Sequence, residues 1–114
     1  YILEDTSSLA RALKLKIVFA HCGGDFYREL LCLTERFENA YLDTAWLRHY
    51  AERAFPTVDI HDWIEHAVKI AGSEKILFAG EGTLPGDIRQ CRLTDEQKEN
   101  ILWRNAAKLY KLKV

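Results

Sequence analysis

Three short apolar runs punctuate the chain, and amphipathic stretches separate them. Lys16-Ile17-Val18-Phe19-Ala20 and Lys75-Ile76-Leu77-Phe78-Ala79 show no polar alternation after their lysines. Such runs fit strands covered on both faces, as in a parallel sheet. Ala40-Tyr41-Leu42, running into Asp43-Thr44, reads as a strand lying between them in sequence.

The stretches between the runs carry a helical period. Phe26, Leu30, Leu33 and Phe37 recur every three or four residues, which predicts a helix capped at Asp25 and ending near Phe37. Ile60, Trp63, Ile64, Ala67, Ile70 and Ala71 mark a second helix, with Gly72 as its C-cap. Thr94-Asp95-Glu96-Gln97 fits a capping box opening a last helix to about Tyr110. Lys108 and Lys111 near its end suit the helix dipole. Thr6-Ser7-Ser8 caps a short first helix through Leu13. Residues 45–59 read as a long connection broken at Pro56, and residues 80–87 as a loop. The predicted order is α-β-α-β-α-β-α, an α/β architecture with parallel strands.

Composition narrows the class. The 114 residues are 48% hydrophobic, enough for one domain with a core and too few for two. Charged residues make up 29% for a net charge of −1, without a basic run, so no nucleic-acid footprint is expected. The longest apolar stretches are too short to span a membrane. The acidic start, Tyr1 to Asp5, lacks the basic region of a signal peptide. Three cysteines without a CxxC pattern argue for reduced thiols in a cytoplasmic protein rather than a disulfide framework. The chain has no methionine and opens at Tyr1 on what reads as mid-protein sequence. The expectation is a single partial domain, 1–114, of a longer protein.

Parallel α/β proteins place their chemistry where strands end, because the strand fixes the backbone and the loop beyond it is free to vary. The first run ends at His21, the second at Asp43 and the third, one glycine on, at Glu81. His21 suits proton transfer or metal ligation, or is a polar residue satisfied by loop backbone. Glu81, between Gly80 and Gly82, suits a divalent metal or a general base, or is a solvated loop residue. Asp43 is a third rim residue or a cap for the next loop's N–H groups. Gly23-Gly24 fits a tight turn.

Other features carry less. His61 and His66 lie five apart, so they do not share a helical face as in HExxH. Asp62 and His66 read as a surface pair four apart. His49 has no evident partner. Cys22 is adjacent to His21 and points to the opposite face, which disfavours a Cys–His dyad. The glycines near Glu81 lack a nearby cation for phosphate, and GxGxxG is absent, which disfavours a nucleotide site.

Four segments together resemble the amidohydrolase-related family. KIVFAHCGG (16–24) is similar to its sixth strand, ending in His-x-Gly-Gly. NAYLDTA (39–45) is similar to the seventh and KILFAGE (75–81) to the eighth, which usually ends in Ser-Asp. LTDEQKENILWRNAAKLY (93–110) resembles the closing helix, with its signature at Asn105-Ala106-Ala107. The resemblance implies the last three βα units of a (β/α)8 TIM barrel that holds a divalent metal, typically zinc. It implies hydrolysis of amides, esters or lactones, or decarboxylation or hydration of small organic acids. His21 then matches the histidine that orients or deprotonates substrate or water, and Glu81 the metal ligand or base. Glu in place of Asp is similar to a hydratase branch of the oxalomesaconate hydratase kind. The family's first-strand His-x-His and fifth-strand histidine have no counterpart, and the loop from Glu81 to Thr94 is short. The expected partners are a small-molecule substrate and either further copies of the chain or a missing N-terminal half-barrel. The isolated chain is expected to be inactive. The alternative is a non-catalytic α/β piece that pairs with another polypeptide.

Overall fold

A computed structural model describes residues 15–112. The helix predicted at 6–13 lies outside them. The three apolar runs form strands β1 (Ile17–Phe19), β2 (Ala40–Asp43) and β3 (Ile76–Leu77). All pair in parallel in the order β1-β2-β3, with Ile17 opposite Ala40, Phe19 opposite Leu42, and Leu42 opposite Ile76. Each strand lies beside its predecessor without a reversal, as in a segment of a TIM barrel.

The strands are shorter than the runs that announce them, and burial alternates only along β2. Ala40 and Leu42 are buried while Tyr41 and Asp43 are half-buried. Full cover on both faces is observed at β3, where Ile76 and Leu77 are both buried, and not along β1 or β2. Ile17, Val18 and Phe19 stay half-buried along the whole of β1.

Helix α1 (Tyr27–Arg36) begins two residues after Asp25 and has no side-chain cap. Asp25 instead pairs with Arg53 at 2.9 Å. Its buried face is Leu30, Leu31 and Thr34, with Phe26 left exposed. The connection predicted at 45–59 contains a helix, α2 (Leu47–Arg53). Helix α3 (Ile60–Ala71) is capped by Asp59, whose carboxylate accepts from the N–H groups of His61 and Asp62 at 2.9 and 3.1 Å. These two bonds, the Asp62 one first, lower the Asp59 pKa. Gly72 ends α3 at φ 93°, as predicted. Asp62 does not pair with His66, because its carboxylate faces Arg92 at 3.9 Å.

The predicted loop at 80–87 turns into a short helix, α4 (Pro85–Arg89), and Thr94 opens α5 (Asp95–Glu99) with the expected capping box. The chain continues through a π turn (Asn100–Arg104) into α6 (Asn105–Leu109). In the π turn Asn105 N–H bonds back five residues to Asn100. The carbonyl of Ile101 accepts from Phe78 N–H at 2.9 Å, tying the end of β3 to the closing helix.

Leu42 and Ile76 of the sheet meet Trp63, Ile64, Ala67, Ile88 and Ile101 of the helices in one buried cluster. Burial of each such aliphatic side chain contributes about 1.5–3 kcal/mol. Two polar ties fix its edges. Buried Asn105 donates through Nδ2 to the carbonyls of Ser73 and Ile76, at 2.5 and 2.8 Å. Lys75 donates to the carbonyls of Phe37, Glu38 and Ala40, at 2.7–3.1 Å, joining α1 to the start of β2.

Candidate functional site at the carboxyl ends of the strands

The chain leaves β1 through four consecutive residues with positive φ: His21 (60°), Cys22 (47°), Gly23 (91°) and Gly24 (55°). Glycine adopts this region freely; His and Cys do so at a cost of about 1–3 kcal/mol each. Surrounding bonds hold the turn. His21 N–H donates to Asp43 Oδ1 at 2.8 Å, and the same oxygen accepts from Ala45 N–H at 3.1 Å. Asp43 thus serves as the predicted loop cap, and extends that role across the sheet to the neighbouring strand end.

The imidazole is fixed separately. His21 Nδ1 lies 2.8 Å from the carbonyl oxygen of Ala45. A carbonyl only accepts, so Nδ1 carries the proton, and in the neutral ring Nε2 keeps its lone pair. No described residue bonds Nε2. The ring also stacks on Tyr50, with centroids 4.9 Å apart and planes 22° from parallel. His49, without an expected partner, packs edge-on against Tyr50 at 5.1 Å.

Cys22 is the buried counterpart of half-buried His21. Burial first, then the charge of Asp43, pushes its thiol far above the ordinary range. It stays protonated, and no Cys–His dyad forms.

The rims of β2 and β3 are joined by threonines. Thr44 Oγ1 accepts from Ala79 N–H at 3.0 Å and donates to its carbonyl at 3.3 Å, so a side chain continues the strand pairing. Thr83 Oγ1 donates to the Thr44 carbonyl at 2.5 Å. Both hydroxyls are buried. The backbone of Glu81 joins this set, its carbonyl accepting from Trp46 N–H at 2.6 Å. Its carboxylate is exposed and contacts neither His21 nor Asp43. The structure thus joins His21 and Asp43 by a hydrogen bond and ties Glu81 to the rim through its backbone alone.

Among the described residues no three His, Cys, Asp or Glu side chains converge as a metal cage. No helix among these residues is long and apolar enough to cross a membrane.

The geometry has its counterpart in a family comparison. The amidohydrolase family model matches residues 2–112, nearly the whole chain. The chain belongs to the amidohydrolase family. No curated protein and no solved structure gave a significant match. The family assignment gives the closing-helix signature a physical reading: Asn105 of this amidohydrolase-family chain is the residue that bonds the Ser73 and Ile76 carbonyls.

Sequence reasoning did not find Tyr50, Thr44 or Thr83. Tyr50 lies on a helix too short to announce itself, and the threonines act through partners some 35 residues away.

Proposed function

We propose that this chain supplies the last three βα units of a metal-dependent barrel enzyme. It would act as a hydrolase, or as a decarboxylase or hydratase, on a small organic acid, amide, ester or lactone. The observation that carries the reading is the commitment of His21 Nδ1 to a backbone carbonyl at the carboxyl end of a parallel strand. That arrangement leaves Nε2 as a base directed by structure rather than by chance. His21 takes or returns the proton at Nε2, and Asp43 holds the His21 backbone in place. Glu81 is the residue offered for a divalent metal, zinc in the first instance, or for a second base.

Elemental analysis of this chain and of the longest product of its gene tests the reading, together with turnover of nitrophenyl esters, anilides, lactones and hydroxybenzoic acids. Stoichiometric metal in the long product and loss of turnover in His21→Ala and Glu81→Gln are expected. Near-normal turnover in both variants would sink it.

A second reading rests on the sheet itself. Among the described residues β1 has one neighbour and half-buried side chains throughout, so its outer edge fits a strand from another polypeptide. Catalytically silent pairing then predicts a stable complex without turnover.

A further inference from the structure

We infer that Tyr50 is a positioning residue for the His21 imidazole. The inference rests on the proposed proton-transfer role of His21 and adds a residue to it.

The bond from Nδ1 to Ala45 fixes the tautomer but leaves the ring able to rock about that bond. A flat surface against the ring removes this freedom, and Tyr50 supplies one at 4.9 Å and 22°. Tyr50 is itself held on several sides. A methyl group on Gly24 would sit 3.2 Å from its Cε1, so the turn after β1 presses against the ring edge. The His49 ring meets it at 82°. The Arg53 guanidinium lies 5.9 Å from its centroid and is anchored by Asp25 through two contacts, 2.9 and 3.1 Å.

Asp25 and Arg53 are partly exposed, so their ion pair adds little to stability by itself. Its place in this array gives it another use: it ties the turn carrying His21 to the helix carrying Tyr50. The same residues, with Tyr27, Arg28 and Phe55, line a cavity of about 310 Å³ beside the stack. Tyr50 therefore both borders this cavity and gives the imidazole one rigid wall.

Imidazole NMR of the longest gene product tests this without a substrate. In the native protein the His21 ring protons are expected upfield, shifted by the Tyr50 ring, and Nε2 is expected to resonate as an unprotonated nitrogen. Tyr50→Phe keeps both signals. Tyr50→Leu keeps the tautomer set by Ala45 but loses the upfield shift and broadens the ring signals as the imidazole rocks. On a nitrophenyl ester or lactone that the native enzyme turns over, kcat falls about 10- to 100-fold with KM unchanged, the size expected for misplacing a reacting group.

Unshifted His21 protons in the native protein would overturn the inference even if Tyr50→Leu fails to fold. So would a Tyr50→Leu variant with sharp ring signals and native kcat. Either result leaves the role of His21 standing. That role fails separately, if His21→Ala turns over substrate normally.

Discussion

The indole of Trp46 lies against the backbone of Gly82 so closely that a methyl group there would come within 2.6 Å of Cε3. The two residues belong to the loops after β2 and β3. Both have positive φ, 54° at Trp46 and 68° at Gly82. Trp46 N–H also bonds the carbonyl of Glu81. The loop presenting Glu81 is thus set by its neighbour.

Gly82→Ala meets two penalties at once, the left-handed backbone and the indole. A loss of about 1–3 kcal/mol is expected, read as a lower urea midpoint, and the Trp46 fluorescence should change with it. Native stability in this variant would show that the loop adapts freely.

Asp43 separates acceptor geometry from charge. Asp43→Asn keeps an oxygen for the N–H groups of His21 and Ala45, and should fold nearly as the native chain does. Asp43→Ala leaves two donors without their partner and should lose about 1–3 kcal/mol by urea denaturation. Equal stability of the two variants would contradict the role given to Oδ1.

Asn105→Leu removes the donor from two carbonyls beneath β3. Their desolvation without a partner predicts a loss of about 1–3 kcal/mol or more. Asn105→Asp should be worse, because it sets a carboxylate against two carbonyl oxygens. Thermal unfolding of both variants checks the order.

The thiols divide by burial. Cys32 is exposed, whereas Cys22 and Cys91 are buried. Burial, with the charge of Glu65 second, pushes Cys91 up to about 12 from an ordinary value of 9.0. One thiol per native chain should react promptly with a disulfide reagent at pH 8, and all three after denaturation. The linkage has a definite sign. The native chain holds the Cys91 proton more tightly than the unfolded one, so this contribution is complete below pH 9.0. It is lost as pH rises from there towards 12. A denaturation midpoint that stays level or climbs between pH 9 and 11 would count against it.

The sheet was legible because each strand lies within an apolar run that no other feature of the chain imitates. Caps at Thr94 and Gly72 were legible because they are local chemistry. Helices α2 and α4 were not, since five to seven residues complete too little of a helical period to stand out. The strand-end rule located His21 and Asp43. It gave no hint that one would hold the other's backbone, nor that Glu81 would join the rim through its backbone, because contacts 22 or more residues apart have no local signature. Asp25 was misread for a related reason: a cap and a distant ion pair use the same carboxylate, and only the fold decides between them.

The π turn also fixes how the closing helix is phased. It inserts one extra residue between Thr94 and Asn105, and one residue is about 100° of helical rotation. Deleting one residue from 100–104 would restore a plain α-helix and leave Asn105 in phase, whereas winding 100–104 as a plain α-helix with every residue kept would swing Asn105 a quarter-turn or more away from Ser73 and Ile76. The Ile101 carbonyl would lose its reach to Phe78 as well. The irregularity therefore works as a gear offset: the half of the helix before it answers to the capping box, and the half after it to the floor of the sheet.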